Sequence, residues 1–364
     1  MSNDPPLEIF KTKEMKANNG LLALMVILLV SCGKENRWDV ELPEEKVKLE
    51  FTDISKDFFD TEIPLAEVQA KYPFFFLDTV SNQIWEAQRE HPFERAVYDT
   101  VVKVFREYGK THEELSEVFT YYQYHFPRHK IPHIFTYSST LQENIYDPVI
   151  YGAQEGLMFI ALDGFLGTEN PLYKMQAPLK VYDYMAKNMN PENLPAAVVR
   201  AIGQEIIPFN IRQQTFGDLM VDEGKKLILA DALLPKTSDE LKIGYTPEKM
   251  KWAKENEGNV WNYFVEQNMV FETDRSLRER FLNPAPYSKF LNEVETDSPG
   301  RIGVYIGWQI CKAYLDKNPD LTLDEFLNTD TQTIFTGSKY KPKKGDGNYT
   351  PTRPESNDEI KNYE

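Results

Sequence analysis

Apolar residues recur at helical spacing along most of the chain and alternate with polar residues in only a few short segments. Alternation is typical of a half-buried strand, whereas spacings of three and four residues favour an amphipathic helix. The last predicted strand is apolar throughout, so we expect it at the centre of a sheet. Strands are predicted at residues 47–54, 131–138, 148–151 and 156–163.

Helices are predicted where the apolar spacing is bounded by capping residues, proline or glycine. Pro92 separates the first two helices, Gly109 is expected to end the second, and a capping box from Thr111 to Glu114 to begin the third. These patterns predict a mostly helical α+β fold with a small mixed or antiparallel sheet. The predicted helices cover residues 82–90, 93–108, 111–124, 176–189, 247–267, 274–282 and 301–317, with two more between residues 195 and 230.

The helix over residues 301–317 is strongly apolar and is predicted to be buried. Gly303 and Gly307 lie four residues apart, so one face is smooth enough for close packing against another helix. Cys311 is on the same helix. No histidine has a recognisable pairing with it, so we interpret it as a small core residue rather than a nucleophile.

The chain is organised around the stretch from residue 195 to residue 230. Its layout matches that of a gluzincin-type zinc peptidase, in which two histidines on one helix hold zinc and the Glu beside the first acts as base. Glu205 occupies the position of the base, and Glu223 on the next helix that of the third ligand. The buried face of the first helix is predicted to comprise Val198, Ile202, Ile206 and Phe209.

Both histidine positions depart from this layout, because they hold Gln204 and Pro208. Glutamine is a poor zinc ligand and proline has no ligand atom, so we expect no bound metal and no catalytic residue here. Pro208 is also predicted to kink the helix, since its ring crowds the carbonyl four residues back. On residue chemistry alone, a packed helix with one solvent-facing Glu is the preferred interpretation.

Three further histidines, His125, His129 and His133, are also spaced by four residues. Pro127 and Pro132 interrupt the segment, so the three rings are not expected to line one helical face. His91 and His112 are predicted to lie at helix starts as caps or solvent-facing residues. No histidine is therefore assigned to a metal site.

The composition excludes some classes of partner. The chain has 364 residues and a net charge of -16, which argues against binding nucleic acid, whose phosphates require a basic surface. Cys32 and Cys311 do not form a CxxC pair, so no thiolate zinc site or redox motif is available. No cofactor is expected.

The N-terminal segment has the pattern of a bacterial lipoprotein signal. Ten apolar residues, Leu21 to Val30, are too few to span a bilayer but fit a signal-peptide core, with Lys16 as the positive flank. They lead into the box Leu29-Val30-Ser31-Cys32, which predicts cleavage before Cys32 and acylation of that residue. Several acyl chains would anchor the protein stably to a membrane. Met15 is a candidate start residue.

The chain is accordingly divided into four parts. We expect a signal peptide over residues 1–31, a lipidated Cys32 followed by a polar tether to residue 46, and a single α+β domain over residues 47–343. Residues 344–364 lack apolar periodicity and are predicted to be disordered.

Several segments together resemble the GldB family of gliding-motility lipoproteins. The resemblance runs from Cys32 to about residue 343, and it implies a single GldB-like domain related to predicted zinc peptidases, a zincin-like fold. It also implies a role in gliding within the cell envelope, with other gliding or type IX secretion proteins as partners; the membrane, inner or outer, stays open. The segments are LVSC, WDVELPEEKVKLEF, VIYGAQEGLMFIALDGFLG, AAVVRAIGQEIIPFN, LMVDEGKKL and PGRIGVYIGWQICKAYL.

Three functions follow as hypotheses. The preferred one is a membrane-anchored lipoprotein that is not an enzyme and acts as a peptidase-like scaffold or partner-binding component of the gliding machinery. The alternative is an active or vestigially active metal-dependent peptidase using Glu205 as base. The third is a binding module for an envelope sugar or peptide. It would use the cleft of the former peptidase site, beside strand 156–162.

Overall fold

The computed structural model describes residues 36–76, 79–106, 108–139, 141, 147–175, 181–209, 214–291 and 295–343. The predicted signal peptide, Cys32 and the predicted tail at residues 344–364 lie outside the described residues. From Trp38 onward the described residues form one compact unit. None of the described helices is both long enough and apolar enough to cross a membrane.

Four strands form a mixed sheet, with the order β1-β2-β4-β3. β2 pairs in parallel with both β1 and β4, and β3 pairs with β4 in the antiparallel sense. The predicted mixed sheet and the interior position of the last strand are confirmed, although the first strand is shorter than predicted. The strands are β1 (Phe51–Asp53), β2 (His133–Tyr137), β3 (Val149–Gly152) and β4 (Leu157–Ala161).

Helices make up most of the rest of the described chain, which confirms the mostly helical α+β class. In chain order they are α1 (Ile54–Phe59), α2 (Leu65–Lys71), α3 (Asn82–Glu90), α4 (Pro92–Val104), α5 (Tyr108–His125), α6 (Leu172–Met175), α7 (Asp183–Ala186), α8 (Leu194–Ile206), α9 (Phe216–Leu233), α10 (Asp239–Ile243), α11 (Pro247–Glu266), α12 (Arg275–Phe281), α13 (Ile302–Leu315), α14 (Leu323–Asn328) and α15 (Thr331–Ser338).

Two helix predictions were wrong. Gly109 and Thr111 lie inside the first turn of α5. Gly109 therefore does not end the preceding helix, and Thr111 does not begin a new one. α4 stops earlier, at Val104, where the N–H of the buried Phe105 bonds back to the carbonyl of Val101. Tertiary packing commonly overrides local capping signals. Here α5 begins at Tyr108, before the predicted capping box at Thr111. In the predicted helix over residues 176–189, only α7 is helical among the described positions; residues 176–180 are not described.

The sheet separates two apolar clusters because successive strand side chains point to opposite faces. Phe135 and Tyr137 join a smaller cluster with α1 and α2, whereas Ile134 belongs to the main core on the other face. Met158 and Ile160 of β4 also face the main core. The sheet is thus a central layer, and the main helical core lies on one side of it.

The main core is built on the pair α9 and α13, which pack along each other more extensively than any other two elements. A Cβ placed on Gly307 would lie 1.7 Å from the carbonyl oxygen of Met220, and one on Gly224 would lie 2.4 Å from the backbone of Gly307. The close approach predicted from Gly303 and Gly307 is therefore confirmed. Cys311 is fully buried on this helix, and burial raises the pKa of its thiol.

Part of the predicted tether packs on this core. Trp38 is buried, with its ring edge-on to His125. Lys46 forms an ion pair with Glu117 of α5, with the nitrogen 3.1 Å from the carboxylate oxygen. Residues 38–46 therefore start the folded unit rather than preceding it.

Candidate functional site

The first half of the candidate site is the C-terminal end of α8. Pro195 lies in its first turn, and Val198 and Ile202 are fully buried. Phe209 was predicted to continue this face, but it lies beyond the helix and is half exposed.

The helix ends at Ile206 instead of kinking at Pro208, which corrects the prediction. Ile207 is extended, with φ -83° and ψ 120°. A proline disfavours the helical conformation of the residue before it, so Pro208 ends the helix two residues early. Gln204 and Pro208 therefore do not share a helical face, and the geometry of two ligands four residues apart is absent.

Gln204 and Glu205 are both solvent-exposed. The carboxylate of Glu205 accepts a hydrogen bond from the backbone N–H of Ala153, which follows β3, at 3.3 Å. A single long hydrogen bond at the surface constrains a side chain weakly. Glu205 is thus a surface carboxylate that contacts the edge of the sheet.

Glu223, on α9, has a different environment. Its Oε1 lies 2.7 Å from Nζ of Lys226, and its Oε2 lies 3.6 Å from the guanidinium of Arg301. Lys226 also pairs with Asp222 at 3.2 Å. Burial alone would raise the pKa of Glu223, but the charges of Lys226 and Arg301 outweigh it and the pKa is lowered. The carboxylate therefore stays ionised and is already bound to two cations.

Within the described part of the chain, no three His, Cys, Asp or Glu side chains converge as a metal site would require. A metal ion at Glu223 would have to displace Lys226 and compete with Arg301, whose charges repel it. The donor set around Glu223 is suited to holding cationic side chains and not to holding zinc.

A cavity of about 220 Å³ opens beside Glu223. Its wall includes Arg200 from α8, Lys226 from α9 and Arg301 just before α13. The sequence prediction missed these three residues. Arg200 lies one turn before Gln204 and could have been noticed, but nothing in the sequence brings Arg301 to Glu223.

The histidines have separate local partners. Nδ1 of His129 lies 2.8 Å from the hydroxyl of Tyr122, and Nε2 of His133 lies 2.7 Å from the hydroxyl of Thr52. Burial lowers the pKa of His125 to about 4. His91 precedes α4 as predicted, whereas His112 lies within α5 and stacks on Phe51, so its predicted place at a helix start was wrong.

A comparison with known families gives one finding that decides the identity of the chain. The model of the family described as gliding motility protein GldB matches residues 35–342. The chain belongs to the GldB family. No curated protein and no solved structure matches it.

Membership of the GldB family makes this a gliding-motility protein, and the family's model is labelled as one of lipoproteins. The match covers every element from β1 to α15, including α8, α9 and the cavity beside Glu223. The candidate site is therefore part of the GldB domain itself and not of an added segment.

Proposed function

We propose that this GldB-family protein is a lipoprotein anchored to an envelope membrane through Cys32, and that it acts in gliding as a non-catalytic, peptidase-like scaffold. Its partners are other components of the gliding or type IX secretion machinery. The observation that carries the proposal is the ion pairing of Glu223 with Lys226 and Arg301, because it engages the carboxylate that a peptidase of this layout would use as a zinc ligand.

The state of Glu205 supports the same proposal. A general base must lie within hydrogen-bond reach of an activated water or substrate. Glu205 is instead exposed at the surface, where it bonds to Ala153, with no metal-binding group among the described residues. Gln204 before it supplies no zinc ligand.

The test is gliding by cells whose only copy of the gene carries Glu205→Gln, with protein level measured by immunoblot. We expect normal gliding, equal to that of the matched surface control Glu266→Gln. Loss of gliding at a normal protein level, with the control unaffected, would contradict the scaffold proposal and favour a working peptidase site.

The double variant Glu205→Gln, Glu223→Gln extends this test to the second carboxylate. Because Glu223 is partly buried and ion-paired, its loss is expected to lower the protein level, and gliding must be compared at matched expression. Normal gliding at matched level is the expected result. A stronger defect than that of Lys226→Met, which breaks the same pair from the other side, would indicate a chemical role for the carboxylates.

The anchor is tested separately by Cys32→Ser. We expect the precursor to remain uncleaved and to lose label from radioactive palmitate, because acylation of the cysteine precedes cleavage in the lipoprotein pathway. Unchanged processing and unchanged labelling would show that Cys32 is not the attachment site.

A further inference from the structure

The charged residues that line the cavity beside Glu223 are mostly cationic, although the protein as a whole is acidic. The chain carries 57 Asp and Glu residues against 41 Lys and Arg residues. Among the described residues that form its wall, Glu223 supplies the only carboxylate. The cationic residues in the same wall are Lys187, Arg200, Lys226, Lys242, Lys249 and Arg301.

Most of these cations already have partners within the fold. Lys226 is paired with Asp222 and Glu223, and Lys242 is buried against Asp231 at 2.9 Å. The ammonium group of Lys249 donates to three backbone carbonyls, those of residues 296–298. These paired cations form part of the cavity wall and contribute to its positive electrostatic potential.

Arg200 differs from them. No hydrogen bond or ion pair joins its guanidinium to another described residue, although Asp147 and Glu223 are close enough to attract it. Desolvation and the like charge of Arg301 both lower its pKa. Two guanidinium groups thus face one cavity, and their mutual repulsion is relieved when an anion lies between them.

A second, independent observation concerns Tyr245. This residue lines the same cavity, and its hydroxyl is buried and has no hydrogen-bond partner among the described residues. It lies within range of the charge of Arg301. Buried hydroxyls are normally hydrogen-bonded, and an unpaired one in the wall of a cavity indicates a partner that the described residues do not supply.

We propose that this cavity binds a small anionic group, a carboxylate or a phosphate, held by the guanidinium of Arg200 with Arg301 nearby and by the hydroxyl of Tyr245. Guanidinium groups offer paired donors that match the oxygens of both kinds of anion. At about 220 Å³, the cavity is smaller than the ~300–1,000 Å³ typical of sites for drug-sized ligands. It therefore accepts an anionic group of a few atoms or the charged end of a longer molecule.

This inference goes beyond the scaffold role and does not rest on it. The scaffold role requires no ligand in the cavity, and anion binding requires no catalysis by the carboxylates. Failure of the binding test below therefore leaves the gliding test unaffected, and the reverse also holds.

The test is isothermal titration of the purified protein at constant ionic strength with two probes. The first is inorganic phosphate, and the second is N-acetylalanine, whose amide serves as the uncharged control. We expect saturable binding of at least one anion and none of the amide. The probe that binds more tightly identifies the chemistry of the anion.

Three variants locate the binding. Arg200→Gln is expected to weaken it at least tenfold, and Tyr245→Phe by about threefold, while Arg275→Gln, an exposed arginine outside the cavity, leaves it unchanged. Circular dichroism confirms that each variant is folded. Absence of binding for both anions, or equal binding by wild type and Arg200→Gln, would overturn the proposal.

Discussion

The two carboxylates of the peptidase-like layout, Glu205 and Glu223, lie in contrasting places. Glu205 is at the exposed end of α8 and has one long hydrogen bond to the chain after β3. Glu223 is partly buried and is paired with two cations beside a cavity. The difference teaches that the two carboxylates belong to separate regions: Glu205 is part of the ordinary surface, and Glu223 is part of the wall of a cationic pocket.

The largest effect is expected from Gly307→Ala, which attacks the packing that brings α9 and Arg301 together. The added Cβ would lie 1.7 Å from the carbonyl oxygen of Met220, so the two helices must separate. We expect a loss of about 3 kcal/mol or more in the free energy of unfolding, measured by urea denaturation.

The matched control is Gly109→Ala, in the first turn of α5, where an added Cβ meets nothing within 4 Å. It is expected to be neutral or to stabilise by up to about 1 kcal/mol, since alanine favours a helix. Equal stability of Gly307→Ala and wild type would disprove the close approach of α9 and α13.

The second largest loss of stability is expected from Glu223→Gln, which removes one of the two carboxylates that pair with Lys226 and leaves only Asp222. We expect a cost of about 1–3 kcal/mol near neutral pH. Because the folded pKa of Glu223 is lowered, the stabilisation is full above its ordinary value of 4.5 and disappears as the pH falls through the folded pKa. Urea denaturation of both proteins along a pH series measures it, and a difference that grows toward acid would contradict the ion pair.

A smaller effect of opposite sign is expected from Tyr245→Phe in the absence of ligand. The buried hydroxyl without a partner is lost, so the variant should be as stable as wild type or more stable by about 1 kcal/mol. Tyr173→Phe is the comparison, since the hydroxyl of Tyr173 donates to the carbonyl of Asp163 at 2.8 Å and accepts from the N–H of Leu166 at 2.7 Å.

Thermal denaturation of the two tyrosine variants decides the matter. Tyr173→Phe is expected to lose about 1–3 kcal/mol because it leaves buried backbone groups unpaired. If Tyr245→Phe lost as much, its hydroxyl would have a partner within the fold, and the argument for an external anion would fail.

The smallest effect is that of Glu205→Gln. Replacing a surface carboxylate that has one weak hydrogen bond should change the free energy of unfolding by less than about 0.5 kcal/mol near neutral pH. Urea denaturation of the variant beside Glu223→Gln tests the contrast directly. Similar losses for the two substitutions would mean that the two regions are not as different as their contacts indicate.

The sequence predicted the fold class because its strongest signals are periodic and local. The apolar run of β4 and the glycine pair in α13 can be recognised from neighbouring residues alone. The predictions that were wrong concern helix boundaries, where packing decides between local alternatives. They are those at Gly109, Thr111, His112, Pro208 and Phe209.

The candidate site was only half predictable for a similar reason. Spacing on a helix singled out Glu205 and Glu223 and showed that Gln204 and Pro208 stand where a zinc peptidase would have histidines. It could not bring Arg301 to Glu223, because that contact depends on the glycine-mediated packing of α13 on α9. The orphan hydroxyl of Tyr245 is likewise a property of the folded chain and has no sequence signal.

The most direct test of the central claim is the zinc content of the purified protein after incubation with excess zinc and desalting. We predict much less than one zinc per chain, with no difference between wild type, Glu205→Gln and Glu223→Gln. One zinc per chain that is lost in Glu223→Gln, together with peptide hydrolysis that is lost in Glu205→Gln, would contradict the account and establish a working peptidase.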